Sequence, residues 1–238
     1  MKNKLSYKMS VVILGTLFLL SSSLKVVASK EERKVSDFKA ISLSIPAVLQ
    51  LTQGNENKVV IEGEDEVLEK IITEVEDGRL TIRFEKWYNY RGSSSLRVFV
   101  TLKQLEALLI TGSGQITAQS SINADKIRLM VSGSGDIELS DLIAKKVDVM
   151  VTGSGDININ GDNNAHYLKA VVTGSGDFDA GELTFENGDL TITGSGTINA
   201  GIEEELNAVI TGSGKIYYKG NPLIDATITG SGKIRNNN

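Results

Sequence analysis

The tripeptide Gly-Ser-Gly, which recurs through the second half of the chain, is the feature that most constrains the fold. Its seven copies are spaced by 21, 20, 21, 20, 18 and 18 residues and begin at Gly112, Gly133, Gly153, Gly174, Gly194, Gly212 and Gly230. Each copy follows a hydroxyl residue, and a β-branched residue lies two positions before it. Such self-similarity predicts a stack of repeated structural units from about residue 105 onward.

The length of the period selects among the repeat folds. Helical repeats need about 33 residues or more per unit, and propeller blades need about 40. A leucine-rich repeat has a suitable length, but its recurrent leucine pattern is absent from this sequence. Short β-branched runs between glycine corners favour strands. The sequence therefore predicts an all-β chain, a parallel β-helix (β-solenoid) of about six to seven coils.

Alignment of the repeats on the first glycine of each triplet separates inward from outward positions. Four positions before that glycine lie Leu108, Leu129, Val149, Ala170, Leu190, Ala208 and Ala226. Positions of the same parity are nearly all apolar, as expected for strands with one buried face. Val149 is therefore expected to be buried between Leu129 and Ala170 of the neighbouring coils.

Two outward positions carry patterns of their own. The fifth position before the glycine alternates in charge along Arg128, Asp148, Lys169 and Asp189, so that neighbours on coils about 4.8 Å apart would attract one another. The third position before the glycine is apolar at Leu109, Met130, Met150 and Val171. Because an exposed apolar column favours a covering segment or partner, we expect this face to pack against the N-terminal segment or against a second copy in a homo-oligomer. The alternative is a β-branched surface that a regular sheet tolerates.

Residues 1–28 are predicted to be a secretory signal peptide. Lys2, Lys4 and Lys8 form a basic start, an apolar run follows at 11–20, and a small-residue cleavage pattern lies at 26–28. The apolar run is short for a transmembrane span, although an uncleaved anchor is the alternative. The chain is therefore expected to be exported to the periplasm, the cell surface or the extracellular space, with no membrane span after cleavage.

Composition excludes several classes of site and partner. The sequence has no cysteine, so it forms neither disulfides nor thiolate metal sites. Its formal net charge of −5 becomes −9 when residues 1–28 are removed, because they hold four lysines and no acid. An acidic chain without a basic block argues against a nucleic-acid partner.

The segment before the repeats is predicted to cap the stack. Residues 29–37 are highly charged and are predicted to be a flexible leader. Strands are predicted at 40–44, 48–52, 58–62, 72–76, 79–84 and 96–102, with a helical turn at 64–70 and a loop at 86–95 that contains Trp87, Tyr88 and Tyr90. Because the open end of a solenoid exposes unpaired strand edges, residues 38–104 are expected to cover one end of the coils formed by residues 105–238.

Several segments together carry a resemblance to a known family. They are Phe38-Lys39-Ala40-Ile41, Val59-Val60-Ile61-Glu62-Gly63, Asp77-Gly78-Arg79-Leu80-Thr81-Ile82 and the repeated [Ile/Val]-[Thr/Ser]-Gly-Ser-Gly pattern. In these the chain resembles, over about residues 38–234, the head GIN domain family, which is named for auto-transporter adhesin heads and is common among exported proteins of Bacteroidetes. The resemblance implies a right-handed parallel β-helix, in agreement with the usual handedness of parallel connections, and it brings no catalytic residues.

The position after each triplet supplies the main candidate for metal binding. Asp136, Asp156 and Asp177 occupy it on three successive coils, and carboxylate oxygens of this kind suit calcium. The nonapeptide period of calcium-binding β-rolls is absent, and aspartates that accept hydrogen bonds from corner amides also explain the column. Calcium binding by this column stays open, and no catalytic, cofactor or metal residue is assigned.

Two functional classes remain. Polysaccharide lyases and hydrolases occur on parallel β-helices, and their sites need converging carboxylates or a calcium with a basic residue. Here the aspartates form a column, and His166, the only histidine, lies in a short predicted loop at 161–166 and is expected to be a surface residue. The sequence therefore favours an exported, non-catalytic adhesin or cell-envelope binding or scaffold module with a protein or polysaccharide ligand. A polysaccharide-active enzyme is the alternative.

Overall fold

The computed structural model describes residues 28–91, 96–161 and 164–238, so residues 1–27 of the predicted signal peptide lie outside the described residues. Strands hold 70% of the chain and helices 2%, and the strands form a β-solenoid of about six turns. The predicted fold class is confirmed.

Two strands meet at each Gly-Ser-Gly corner and pair in parallel with their equivalents on the next coil. The strands that lead into the corners, the first sheet, are β8 (Ala107–Gly112), β10 (Ile122–Gly133), β12 (Leu142–Gly153), β14 (Asn164–Gly174), β15 (Asp177–Gly194), β16 (Thr197–Gly212) and β18 (Leu223–Gly230). Those that leave the corners, the second sheet, are β9 (Gln115–Ala118), β11 (Asp136–Leu139), β13 (Ile157–Ile159), the beginnings of β15 and β16, β17 (Lys215–Lys219) and β19 (Lys233–Asn236).

The register of the coils is the one that the sequence alignment predicts. Leu129 pairs with Val149 and Val149 with Ala170, and all three side chains are buried. A second apolar column, the central column, runs from end to end of the solenoid through Ile82, Leu43, Ile110, Val131, Val151, Val172, Ile192, Ile210 and Ile228. These columns of stacked aliphatic side chains form the core.

The corners require glycine for two physical reasons. Gly153 has a φ of 119°, in the region that side chains with a Cβ rarely adopt. A Cβ at this position would also lie 2.3 Å from the carbonyl oxygen of Gly133 on the preceding coil. That oxygen accepts a hydrogen bond of 2.9 Å from the backbone N–H of Ser154. From Gly133 onward, the corners are therefore stacked backbone on backbone with no room for a side chain at the first glycine.

The N-terminal segment supplies coils of its own. Its elements are β1 (Ser29–Arg33), β2 (Ala40–Leu43), β3 (Ala47–Gln53), β4 (Lys58–Gly63), α1 (Asp65–Leu68), β5 (Ile71–Glu76), β6 (Arg79–Phe84) and β7 (Leu96–Leu102). In the first sheet β2 lies in parallel between β6 and β8, and in the second sheet β3 lies in parallel between β7 and β9. Residues 38–104 are thus more than the predicted cap, since four of their strands extend both sheets.

Antiparallel strands close the N-terminal end of the stack. β5 pairs with β6, β4 pairs with β7, and β1 pairs with β4, all antiparallel. Val67 and Leu68 of α1 are buried beneath this end. The prediction of a flexible leader at residues 29–37 is wrong over Ser29–Arg33, because the charges of this segment lie along an edge strand, where both faces tolerate polar side chains. The Arg33 guanidinium donates a 2.6 Å hydrogen bond to the Leu68 carbonyl and fixes the strand to α1.

Candidate functional site

The apolar stripe formed by Leu109, Met130, Met150 and Val171 lies on the outer surface of the first sheet, as its parity predicts. Its members pair in register across four successive coils. Leu109, Met130 and Val171 are half-buried, and Met150 is 43% exposed. The N-terminal segment does not cover the stripe. Instead Ser42 of β2 pairs beside Leu109, so that this segment lengthens the sheet rather than lying across it.

A shallow groove of about 220 Å³ follows the stripe and is bordered by the alternating charges that the sequence predicts. Arg128, Asp148, Lys169 and Asp189 pair in this order on successive coils. The Asp148 carboxylate lies 2.9 Å from Lys126 Nζ and 3.7 Å from Arg128 Nη2. The stripe is therefore an apolar strip beside a column of nearly balanced charge.

A larger polar groove of about 1110 Å³ lies where the N-terminal segment meets the first coils. Its walls come from the starts of β2, β6, β8 and β10 and include Arg79, Lys126 and Arg128. Arg128 also borders the stripe, so the groove and the stripe form one continuous surface, which we call the binding face. Sequence reasoning missed the groove because it exists only where β2 is threaded between β6 and β8, which are distant from it in sequence.

Most carboxylates of the polar groove are already paired with lysines. Lys39 Nζ lies 3.1 Å from Glu106 Oε1, and Lys103 Nζ lies 3.3 Å from Asp37 Oδ2. Asp125 accepts a 2.6 Å hydrogen bond from Lys145, which lowers the pKa of the carboxyl below its usual value and raises that of the lysine. A general acid needs a raised carboxyl pKa instead. The groove thus offers polar contacts with ionised side chains whose charges largely cancel.

Tyr167 joins two coils beside the binding face. Its hydroxyl donates a hydrogen bond to the Asp189 carboxylate of the next coil, which also accepts one of 2.9 Å from Asn207 Nδ2. The hydrogen bond to Asp189, with partial burial and the nearby negative charge, raises the pKa of Tyr167 to about 12. These bonds hold the outer polar column in place over three coils.

The aspartate column at the corners has a structural role. Asp136 Oδ1 accepts a 3.1 Å hydrogen bond from the N–H of Asp156, and Asp156 Oδ1 accepts one of 2.9 Å from the N–H of Asp177. Asp177 Oδ1 accepts one of 2.7 Å from the N–H of Thr197. Each carboxylate therefore binds the corner amide of the following coil. Within the described ranges, no group of three or more histidine, cysteine, aspartate or glutamate side chains has a metal-binding arrangement.

His166 lies in a strand rather than in the loop predicted at 161–166. Residues 162–163 of that predicted loop are outside the described residues, and β14 begins at Asn164. The imidazole is exposed, as expected, and its Nδ1 lies 2.9 Å from Glu186 Oε1 on the next coil. His166 therefore belongs to the polar side chains that contact one another between neighbouring coils on the outer surface.

An aromatic cluster follows β6 at the capped end. The rings of Phe84 and Tyr90 stack with centroids 5.3 Å apart, and Tyr88 packs against Phe84 at 5.1 Å. Trp87 is fully exposed and adopts a φ of 70°, which is uncommon for a bulky residue. The sequence places Trp87, Tyr88 and Tyr90 in the loop predicted at 86–95, of which residues 92–95 lie outside the described residues. Only the structure shows that one ring projects while its neighbours pack.

No helix among the residues that the structure describes is long and apolar enough to cross a membrane.

Comparison with known proteins assigns the fold and the family. No curated protein matches this chain. A crystal structure from Bacteroides fragilis NCTC 9343, described as a "putative adhesin", superposes with a TM-score of 0.83 at 24% identity and covers 88% of this chain and 96% of its own. A "Putative lipid binding protein" from Parabacteroides distasonis ATCC 8503 gives a TM-score of 0.73 at 23% identity, with 89% and 97% covered. At these identities the likeness shows the fold. The model of the family described as "Putative auto-transporter adhesin, head GIN domain" matches residues 37–222, and this chain belongs to that family.

Proposed function

We propose that this protein is an exported, non-catalytic adhesion module that binds another protein through its binding face. The observation that carries the proposal is the continuity of the apolar stripe with the polar groove at Arg128. Exposed apolar surface rimmed by polar residues is typical of protein interaction sites. The rigid parallel sheet beneath it presents this surface without the cost of ordering a loop.

The chemistry of the stripe favours a protein as the ligand. Met130 and Met150 are flexible, polarisable side chains of the kind found on adaptable protein-binding surfaces. The stripe has no aromatic ring on which a sugar could stack, and the shallow groove along it is too open to enclose an acyl chain. Binding of a polysaccharide or of a lipid is therefore the other possible outcome of the test. Lipid is included because one structural relative is described as a lipid-binding protein. A second copy that pairs through the stripe is a further outcome.

The paired carboxylates of the polar groove support a non-catalytic role. Lys103 Nζ lies 3.3 Å from Asp37 Oδ2, and Lys39 Nζ lies 3.1 Å from Glu106 Oε1. The hydrogen bond from Lys145 lowers the pKa of Asp125 below its usual value. A glycosidase needs one protonated and one ionised carboxyl on either side of the scissile bond. The family's description as an adhesin agrees with binding rather than turnover.

Binding is tested with the full chain, purified after export, against arrays of host matrix proteins, polysaccharides and lipid vesicles, with release of reducing or unsaturated ends measured in parallel. Met150→Lys is expected to weaken protein binding at least about tenfold, because it places a charge in the stripe. The control is Ile143→Lys, since Ile143 is equally exposed, at 41% against 43%, but lies outside the stripe, on the part of β12 that precedes the adjacent exposed residues Lys145 and Lys146. Turnover of any glycan, or equal loss with both variants, would contradict the proposal. Recovery of the protein in the cytosol would contradict its export.

A further inference from the structure

The last described coil of the solenoid, formed by β18 and β19, has no described strand on its outer side, and we call this side the open end. Among the described strands, β18 pairs only with β16 and β19 only with β17, so each leaves one edge of backbone N–H and C=O groups unpaired. Residues that are buried one coil earlier are uncovered here. Ile224 is 44% exposed although its neighbour Leu206 is buried, and Ile228 is 43% exposed although Ile210 is buried. The apolar core of the solenoid thus reaches the surface at this end.

The edge of β18 lacks the features that normally prevent strand pairing. Exposed edges are usually protected by lysine, proline, bulges or a covering element. β18 has the sequence Leu-Ile-Asp-Ala-Thr-Ile-Thr-Gly, with one charged residue and no proline. In contrast, β1 at the other end reads Ser-Lys-Glu-Glu-Arg, and Glu74 and Glu76 lie on β5. At the C-terminal end, β19 carries Lys233 and Arg235, so β18 is the edge that is left unprotected against pairing.

We infer that the open end packs against the open end of a second copy of this chain and forms a twofold dimer. The capped end is unsuitable as the covering surface, because α1 presents the exposed acidic residues Asp65 and Glu66 there. In a head-to-tail arrangement, the exposed apolar side chains of Ile224 and Ile228 would meet these carboxylates. Among the surfaces that the structure describes, the matching apolar rung with unpaired strand edges is the same end of another copy.

The geometry of the last corner suits this symmetry. β18 runs toward Ser231 and β19 runs away from it, so a twofold axis along the bisector of the corner sets β18 antiparallel to the partner's β19. Ile228 and Ile234 lie three residues before and after Ser231, so each isoleucine meets the partner's copy of the other. Asp225 on β18 lies diagonally across from the partner's Arg235, which gives the pairing charge complementarity. Such a contact is isologous and closes at two copies.

The test uses the full chain, purified after export, and measures its mass by sedimentation over a series of protein concentrations. Hydrogen exchange is measured at the lowest and at the highest concentration. The wild type is expected to form a dimer as its concentration rises to about 0.1 mM. Amides of β18 and β19 should become protected in the same range. Ile228→Lys is expected to stay monomeric at every concentration while its circular dichroism is unchanged, because this side chain is already exposed in the protomer.

Two control variants separate this dimer from other modes of association. Met150→Lys and Ile143→Lys add the same charge at equally exposed hydrophobic positions away from the open end and are expected to dimerise as the wild type does. A wild type that is monomeric throughout would overturn the inference. So would a dimer that Met150→Lys abolishes and Ile228→Lys spares, or a series of growing polymers, which head-to-tail contact would produce. Because the dimer and the binding face use different surfaces, failure of either leaves the other intact.

Discussion

The two ends of the solenoid differ in whether the apolar core is covered. At the N-terminal end, Ile82 terminates the central column beside the antiparallel strand β5 and is fully buried. At the C-terminal end, Ile228 terminates the same column and is 43% exposed. Parallel coils can be added without limit because each one reproduces the edge on which it stacks. A reversal of strand direction, as in β4 and β5, is what ends the stack in this molecule.

The largest expected effect is a difference in unfolding free energy between two variants, each of which places an aspartate at one end of the central column. Ile82→Asp buries an unpaired charge and is expected to cost about 3–5 kcal/mol of unfolding free energy. Ile228→Asp leaves the charge in contact with water and is expected to cost less than about 1 kcal/mol. Urea unfolding at low protein concentration, where the chain is monomeric, measures both. Equal losses would mean that the C-terminal end is covered within the protomer.

Alanine substitutions at two corner glycines compare the first Gly-Ser-Gly corner with a later one, which stacks on the corner of the preceding coil. Gly112 has a φ of 104° but an added Cβ would meet no atom within 4 Å, so Gly112→Ala should cost only the backbone strain of about 1–2 kcal/mol. Gly153→Ala adds a Cβ 2.3 Å from the Gly133 carbonyl oxygen and should cost at least about 1–3 kcal/mol more. Thermal unfolding of the two variants checks the order. A larger loss for Gly112→Ala would contradict the stacking of corner on corner.

Arg33→Ala tests how firmly the capped end is held. The variant removes the guanidinium hydrogen bond to the Leu68 carbonyl, which joins β1 to α1. Arg33 Nε is buried without a hydrogen-bond partner, and this cost offsets part of the stability that the hydrogen bond contributes. We therefore expect the variant to lose about 1 kcal/mol of unfolding free energy. Hydrogen exchange should become faster in β1 and β4 and stay unchanged in β18. The control is Lys34→Ala at the neighbouring exposed position, and equal exchange in both variants would show that β1 is held by its backbone alone.

The smallest effect concerns the middle of the stack, where Tyr167 links two coils. Its pKa is raised to about 12 in the folded protein, above the ordinary value of 10.0. The folded state therefore favours the neutral phenol, and the resulting stability is fully present below pH 10 and is lost as the pH rises through 12. The stability of the wild type should fall more over this window than that of Tyr167→Phe. Tyr217→Phe, near the open end, serves as the control, and parallel curves for wild type and Tyr167→Phe would contradict the hydrogen bond to Asp189.

The repeats were predictable because their determinants are local. A glycine is required wherever a corner stacks on a corner, and strict alternation decides which side chains face inward, so Val149 and its column follow from alignment alone. The outward direction of Met130 and Met150 follows in the same way. The hydrogen bonds of Asp136 and Asp156 to corner amides were one of two interpretations that the residue type allowed, and the distances in the structure support this one.

The N-terminal half needed the tertiary structure because its order in space is not its order in sequence. The strands β2, β3, β6 and β7 are evident from their own patterns, but nothing local shows that β2 and β3 lie between the coil formed by β6 and β7 and the first Gly-Ser-Gly coil. The polar groove depends on this threading. The strand at Ser29–Arg33 was missed because a charged edge strand and a solvated leader have the same composition.

The sequence by itself therefore determined the coil, its register, its corners and the side chains that face outward, since each depends on residues one repeat apart. Only the tertiary structure decided how the two ends are finished and where the polar groove lies, because strand direction and strand order at the ends depend on contacts between segments that share no repeat. An edge is open or closed according to what lies beside it in space, and Ile82 and Ile228, similar in their local sequence pattern, are buried and exposed for that reason alone.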